Sequence, residues 1–313
     1  MTDATGNSHA TGSEDEPVRY IERTRSYYAA LGYGAPYVWA RQPEVPFRRL
    51  ERPLSACRVA LITTAAPFQP DKGDQGPGAP YNAAAKFYRV YSLDAARDHD
   101  LRISHVAIDR DHTTAEDPNS YFPLPALRRA AAAGRIGAVG PRIHGLPTNR
   151  SQRATLDTDC PDLVARCRED GADAAILVPN CPVCHQSTAL AASALEAAGI
   201  ATVVMGCAED IVAHVGAPRF LFSDFPLGNA AGLPGDRTSQ DFTLGLALDL
   251  IETATGPRTI RRSPLRWNGS PGWKQDYCNI ARLSPDEIAR RRAEFDRGKD
   301  AARALRDAVA GRG

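Results

Sequence analysis

The segment Cys181-Pro182-Val183-Cys184-His185 carries the residues best suited to chemistry. The apolar, partly β-branched residues 172–178 before it predict a buried strand. Residues 187–198 after it predict a helix that stops at Gly199. At a helix start, unpaired N–H groups and the helix dipole favour a negative charge, and Cys-X-X-Cys thiols there are often acidified well below the free value of about 8.5. We therefore expect Cys181 to be a reactive thiolate and the more acidic thiol of the pair.

This pair of thiols can perform a reduction. A thiolate at Cys181 attacks an electrophilic carbon, or a sulfur, selenium or nitrogen centre, and forms a covalent adduct. Cys184 then attacks Cys181, which releases the reduced product and leaves a disulfide. An external dithiol or a thioredoxin-type reductant reduces that disulfide, so we expect no bound cofactor. His185 could support the Cys181 thiolate or donate a proton, and a capping or packing role is its alternative.

Other kinds of protein also use two cysteines at this spacing. The motif matches the covalent haem signature, but that class is exported, and residues 1–16 contain no apolar signal segment. A zinc site would use Cys181, Cys184 and Cys207, but a closed four-thiolate site needs a second Cys-X-X-Cys, and we assign no metal. A thioredoxin-like fold and a turn with two inert cysteines remain as alternatives.

The composition argues against several classes of protein. The 313 residues contain 38 Lys and Arg against 37 Asp and Glu, so a net charge of +1 gives no reason to expect nucleic acid or an acidic membrane as a partner. No apolar run approaches the roughly 20 residues of a membrane span. Seven cysteines, an odd number, in a chain without an export signal predict reduced thiols and a cytoplasmic protein.

Strands alternate with helices along most of the chain, which is typical of parallel βαβ units. We predict an α/β fold of two doubly wound parallel-sheet units, Rossmann- or flavodoxin-like, with N- and C-terminal arms. The predicted division is a disordered tail at 1–16, an arm and first unit at 17–145, a second unit with the Cys-X-X-Cys motif at 146–257, and a C-terminal arm and helix at 258–313. Predicted strands are 58–64, 87–91, 103–109, 136–139, 172–178, 200–205 and 219–222, and predicted helices are 18–30, 125–133, 162–170, 187–198, 208–215, 239–253 and one from Ser284.

Polar residues after the other strands form a second candidate site. In open α/β sheets, ligands bind outside the carboxyl ends of the strands, and this rule puts Cys207 on the same rim as the motif. His105 and Asp109 would share one face of the strand 103–109, where they could bind a metal or orient a substrate amine or carboxylate. A polar turn at 117–119 is the alternative for the residues that follow. The predicted substrate-binding residues are His105, Asp109, Asp117, Asn119, Asp224 and Asn229, and His112 belongs to the same group.

The chain changes character after Pro257. Four arginines precede Trp267 and Trp273, and because the net charge is nearly zero we interpret this region as an arm packed across the units rather than a nucleic-acid surface. Ser284-Pro285-Asp286-Glu287 is a helix start with a capping box. The helix that follows has a thin apolar face, which indicates a solvated helix or a contact between copies of the chain in a homo-oligomer.

Several motifs together resemble the selenoprotein B family of glycine, sarcosine, betaine and D-proline reductases. They are 181–186, 220–229, Leu61-Ile62-Thr63-Thr64, Ser104-His105 with Asp109, Asp117-Pro118-Asn119, Phe122-Pro123-Leu124 and Gly134-Arg135-Ile136-Gly137, so the resemblance covers about residues 33–273. In that family the first position of the motif is often selenocysteine, which attacks a substrate carbon so that a C–N bond is cleaved reductively. The resemblance implies this role for Cys181, with Cys184 as the second thiol. Because sulfur is a poorer nucleophile and leaving group than selenium, it does not imply the family's substrates.

We therefore expect an oxidoreductase: a thiol-dependent reductase that cleaves a C–N or related bond of a small molecule. The resemblance adds a partner subunit, since in D-proline reductase a second chain supplies a pyruvoyl group that activates the amine. The alternatives are a thioredoxin-like disulfide or peroxide reductase, and a non-enzymatic thiol protein that binds metal or senses redox state.

Overall fold

A central, mostly parallel sheet organises the molecule. The structure, a computed structural model, describes residues 16–310 apart from 34, 77, 78, 80, 104, 106, 149 and 268–270, so the predicted tail at 1–16 lies almost wholly outside the described residues. The strands are β1 Arg58–Thr63, β2 Ala66–Pro67, β3 Tyr91–Asp94, β4 Leu101–Arg102, β5 Ala138–Val139, β6 Arg142–Gly145, β7 Ala174–Val178, β8 Ala201–Gly206, β9 Arg219–Phe222 and β10 Thr259–Arg262.

The strand order of the main sheet is β10-β9-β8-β7-β1-β6-β3, and β5 pairs with the first residues of β1. All these pairings are parallel except that of β3 with β6. The central order β6-β1-β7-β8-β9 follows the flavodoxin-like pattern, in which the chain turns to opposite sides of the first strand. The crevice between the loops after β1 and β7 is therefore the topological switch point, where such sheets bind ligands.

Helices cover both faces of this sheet. The α-helices are α1 Tyr20–Ala30, α2 Leu124–Ala132, α3 Gln152–Ala154, α4 Cys160–Glu169, α5 Pro182–Ala197, α6 Glu209–Val215, α7 Arg237–Thr253 and α8 Pro285–Ala310. A π-helical turn, Thr155–Asp159, joins α3 to α4. Thirteen of the sixteen residues of α5 are buried, so this helix lies inside the molecule rather than on its surface. No helix within the described ranges is both long enough and apolar enough to cross a membrane.

The α/β class with a mostly parallel sheet is confirmed. The strands assigned to two units lie in one continuous sheet, because β7 pairs directly with β1, and the division at 145/146 stays a prediction. The strand predicted at 103–109 is wrong: residues 103, 105 and 107–109 form no strand, and only Leu101–Arg102 pairs, with β2. The strand predicted at 87–91 begins instead at Tyr91, and the edge strand β10 was not predicted.

The N-terminal arm is attached to the core by polar contacts that are partly or fully buried. Asp210 of α6 accepts a hydrogen bond from the Ile21 backbone N–H at 2.8 Å and so holds the first turn of α1. Gln186 of α5 accepts from the Ala40 N–H and donates to the Tyr37 hydroxyl, both at 2.7 Å. These contacts bring the arm over the first turn of α5, next to the cysteines.

Candidate active site around Cys181

Cys181 occupies the turn between β7 and α5. Its backbone is extended (φ −133°, ψ 169°), it caps α5, and Pro182 takes the first helical position, where a missing N–H costs nothing. Asn180 fixes the turn, because its backbone N–H and its side-chain amide both donate to the Thr64 hydroxyl at 3.1 Å. Thr64 follows β1, so Cys181 lies directly at the switch point of the sheet.

The two thiols form a coupled, buried pair. Cys181 is 6 % exposed and Cys184 is fully buried, and the Cys184 N–H donates to the Cys181 Sγ at 3.3 Å. Burial raises the pKa of Cys181 well above its ordinary value, and the Lys86 charge only partly opposes this. Burial also acts on Cys184, but the Cys181 thiol, His105 and Thr148 together hold the pKa of Cys184 well below its usual range. These directions run opposite to the expectation that Cys181 is the more acidic thiol, and the order of the two pKa values stays a prediction.

His185 connects two loops and does not face a thiol. Its Nδ1 lies 2.8 Å from the Cys181 carbonyl oxygen, while its Nε2 accepts from the backbone N–H groups of Cys207 at 2.9 Å and Ala208 at 3.1 Å. These partners require a neutral ring with the proton on Nδ1. Burial lowers the pKa of His185 to about 4. The catalytic role expected for His185 does not fit this geometry, which favours the packing alternative.

Cys181 opens into a cavity of about 1420 Å³ between the sheet and the two arms. Among the described residues, its lining contains ten aromatic side chains, eight Arg or Lys and three Asp or Glu. Arg150 lies about 6 Å from the ring centres of both Tyr28 and Tyr37 and makes no hydrogen bond or ion pair within the described part of the chain. The cavity thus presents aromatic faces, and more basic than acidic side chains, along a wall that includes Cys181.

Two of the predicted substrate-binding residues line this cavity. His105 lines the cavity, and its buried Nδ1 has no hydrogen-bond partner within the described residues. Asp109 is 2 % exposed; one carboxylate oxygen bonds His112 Nδ1 at 2.9 Å, and the other has no partner in the described ranges. Burial raises the pKa of Asp109. His112 reaches Asp276 with its Nε2 at 3.0 Å, so it bridges two carboxylates.

The other predicted binding residues have structural partners instead and are not among the described residues that line the cavity. Asp117 accepts from Asn119 on one oxygen, and from the Gly235 N–H and the Gln240 amide on the other. These contacts fit the turn alternative. In the loop after β9, Asp224 pairs with Lys274, and Asn229 donates to the Pro226 carbonyl.

Cys207 does not join the thiol pair on an open rim. It is 3 % exposed, and burial raises the pKa of its thiol. No group of three or more His, Cys, Asp and Glu side chains in the described ranges is arranged to hold a metal ion.

Sequence reasoning missed most of the cavity wall. Tyr28, Tyr37 and Arg150 are far apart in the chain and meet only through the fold, and the residues of α8 that line the far side were assigned to a solvated or subunit-contact helix. The clustering of Tyr and Trp at 27–39 is the one signal that could have marked the arm as part of a site.

Comparison with known proteins gives one distant relative. The chain is 24 % identical over 237 residues to the betaine reductase complex component B subunit beta of Peptoclostridium acidaminophilum, an alignment that covers 70 % of this chain and 52 % of that protein. The chain thus spans about half the length of the curated relative it matches. No family model matches, and no solved structure matches. This match supports a distant relation to the selenoprotein B family.

Proposed function

We propose that the protein is a thiol-dependent reductase in which Cys181 attacks a carbon of a small substrate and Cys184 resolves the adduct. The observation that carries the proposal is the placement of Cys181: at a helix start, at the switch point of the sheet, on the wall of a large cavity, with a second thiol directly behind it. The distant relation to a reductase component supports the same class of reaction.

The reaction balances as a two-electron reduction. The Cys181 sulfur forms a bond to the substrate carbon, and the C–N bond breaks with its electron pair on nitrogen. Cys184 then attacks the Cys181 sulfur, and as the disulfide forms, the C–S pair moves to the carbon, which takes a proton. The C–N bond is reduced, the two thiols are oxidised, and an external dithiol restores them. Because the relative is a component of a complex, we propose that this chain also works with a partner subunit.

The cavity suggests a substrate that carries both an anionic and a cationic group. The Arg150 guanidinium is exposed, lies about 6 Å from the centres of two tyrosine rings and has no hydrogen-bond or ion-pair partner among the described residues. A guanidinium in this position suits a carboxylate. One oxygen of Asp109 has no hydrogen-bond partner among the described residues, and this oxygen and the surrounding aromatic faces suit an ammonium group. Betaine carries both groups, and the name of the distant relative contains betaine. It is therefore the first compound to test.

Mass spectrometry of single turnovers tests the thiol roles. The reduced protein is mixed with betaine, together with its partner subunit where one is found, and the peptide that carries residues 181–184 is weighed. We expect Cys184→Ser to retain an added substrate mass on Cys181, and Cys181→Ser to retain none, because an alcohol is far less nucleophilic than a thiolate. Cys278→Ser is the matched control, since Cys278 lines the same cavity and burial raises its pKa to about 12.

The outcome that would reject the proposal is equal inactivity of both variants with no trapped adduct in either. Turnover of hydroperoxides or disulfides with a small dithiol, without any adduct, would favour the thioredoxin-like alternative. Glycine and D-proline are tested in parallel. An adduct with one of them but not with betaine would mean that the substrate, and not the mechanism, was wrong.

A pair of alkylating reagents tests the role of Arg150. Iodoacetate is an anion and iodoacetamide is neutral. We take the rate of iodoacetate relative to iodoacetamide at Cys181 and divide it by the same ratio for a free thiol. The result measures how strongly the cavity attracts an anion to Cys181. We expect this ratio to fall several-fold in Arg150→Gln. Arg153→Gln serves as the control, because that arginine is 91 % exposed and pairs with Asp157. An unchanged ratio in Arg150→Gln would rule out the carboxylate contact.

A further inference from the structure

Both sulfurs of the thiol pair are recessed. Cys181 is 6 % exposed, and Cys184 is fully buried, with its Sγ 3.1 Å from the Thr148 hydroxyl. Of the two cysteines, Cys181 is the one among the described residues that lines the cavity. A reductant that restores the oxidised pair must bring its own sulfur into bonding contact with a sulfur of the pair. The accessible route for it is therefore through the cavity to Cys181.

The walls of this cavity come from segments that pack against each other. Phe295, Gly298 and Lys299 of α8 line it, and so do residues of the segment 81–88. The Tyr81 ring lies next to α8, because a Cβ built at Gly298 would be 3.6 Å from it. The space beside Cys181 is thus framed by chain and is not presented on a flat surface. Such walls favour a reductant small enough to enter the space over a cysteine on the surface of a folded protein.

The cavity is also larger than the proposed substrate needs. Its volume of about 1420 Å³ exceeds the roughly 300–1,000 Å³ of ordinary small-molecule sites. Betaine is smaller than the drug-sized ligands that such sites enclose. Eight Arg or Lys side chains against three Asp or Glu line this space among the described residues. The surplus volume therefore suits a second molecule, and the excess of basic side chains favours one with carboxylate groups.

We propose that the electron donor that restores the thiol pair is a small thiol bearing carboxylate groups, which enters this cavity, and not a folded protein of the thioredoxin type. The inference rests on the proposed function, because that function leaves the pair as a disulfide. It names the second reactant of the same site. The cavity then receives the substrate and the reductant in turn.

The exchange balances in two steps. The thiolate of the reductant attacks the Cys181 sulfur and forms a mixed disulfide there, while the Cys181–Cys184 bond breaks and Cys184 leaves with the electron pair and takes a proton. A second thiolate, from the same molecule or from another, then attacks the reductant's sulfur in the mixed disulfide. Cys181 leaves with that electron pair and takes a proton. The pair gains two electrons and two protons, and the reductant becomes a disulfide.

Reduction of the oxidised protein without any substrate tests the charge of the donor. Diamide forms the disulfide, and the mass of the peptide that carries residues 181–184 confirms it. The anion 3-mercaptopropionate and the neutral 3-mercaptopropionamide are the probes. We take the rate of the anionic thiol relative to the neutral one and divide it by the same ratio for a small neutral disulfide. We expect this corrected ratio to be several-fold above one and to fall as salt is added.

One substitution on α8, with a control from the same helix, tests whether the cavity wall attracts the anion. Lys299 lines the cavity, whereas Arg297 is exposed and is not among the described residues that line it. Lys299→Gln should lower the corrected ratio about twofold or more, and Arg297→Gln, which removes the same charge, should leave it unchanged. Circular dichroism checks that both variants keep their fold. A corrected ratio near one in the wild type would overturn the preference for a carboxylate.

A comparison with thioredoxin tests the size of the donor. Thioredoxin, kept reduced by its own reductase and NADPH, and 3-mercaptopropionate each reduce the oxidised protein and, as the reference, insulin. We expect the rate of thioredoxin relative to the small thiol to be about tenfold lower, or more, for this protein than for insulin, because access limits the exchange. An equal or higher relative rate would overturn the inference and leave the Cys181 adduct of the proposed function standing. A missing adduct with the expected reduction rates would refute the proposed function alone.

Discussion

His185 offers the sharpest test of the site's architecture. Its hydrogen bonds predict both the size of a loss in the free energy of unfolding and the pH range in which this loss occurs. The ring is fully buried, with one backbone carbonyl and two backbone N–H groups as partners. Its pKa falls from 6.5 to about 4 on burial. One pKa unit corresponds to about 1.4 kcal/mol, so protonating this ring costs the folded protein about 3 kcal/mol.

The sign follows from the lowered pKa. Above pH 6.5 the ring is neutral in both states, and the full stability is present. As the pH falls below 6.5 the unfolded chain binds a proton that the folded protein refuses, so the free energy of unfolding decreases until the pH reaches about 4. We expect His185→Gln to lack this decrease of about 3 kcal/mol. The variant should also be less stable at pH 7 by about 2 kcal/mol or more, since buried backbone groups lose partners.

Urea unfolding of both proteins between pH 7 and pH 4 is the assay, and the difference between the two curves is the quantity of interest. His144, whose pKa burial lowers to about 4, titrates in the same range but is present in both proteins and cancels. Parallel curves would refute the reasoning, because they would mean that His185 carries no titration penalty. Alkylation of Cys181 at neutral pH should change little in the variant, whereas a catalytic role would require a large loss.

Two further predictions concern packing. Gly145→Ala should destabilise the protein by several kcal/mol, because the added Cβ would lie 1.8 Å from the Tyr91 ring. Gly245→Ala should stabilise it by up to about 1 kcal/mol, because there is open space at this position in α7. Equal effects of the two on the urea midpoint would contradict the packing. Glu196→Gln should lower the free energy of unfolding by about 3–5 kcal/mol, because it leaves the fully buried Arg219 without the carboxylate that lies 2.6 Å from it. A decrease below about 1 kcal/mol would mean that the ion pair is solvated.

The parts of the site that sequence predicted are those with local causes. Strand β7 follows from a run of apolar residues, and α5 from the breaker-free residues 187–198, although the helix begins earlier, at Pro182. The turn between strand and helix therefore carries Cys181. The alternation of strands and helices likewise gave the α/β class.

The parts it missed depend on long-range contacts. The segment 103–109 has the apolar content of a strand, but in the fold Arg110 bonds the Ala79 carbonyl, and the Asp109 N–H bonds the Leu227 carbonyl, so distant loops hold it in an irregular path. The acidity of the two thiols depends on His105 and Thr148, which come from other segments, and no local pattern could reveal that these groups act on Cys184. His185 looked catalytic by position, yet Cys207 and Ala208 fix its ring.

The walls of the cavity come from both ends of the described chain, and this has a consequence for how the protein is made. Residues of α1 and the arm form one side, and Phe295, Gly298 and Lys299 of α8 form part of another. Domains form in order as a chain leaves the ribosome, so β7 and the start of α5 emerge well before α8 exists to cover them. Until translation reaches α8, the cavity beside Cys181 lacks the part of its wall that Phe295, Gly298 and Lys299 supply. The complete cavity therefore exists only after residue 299 has left the ribosome.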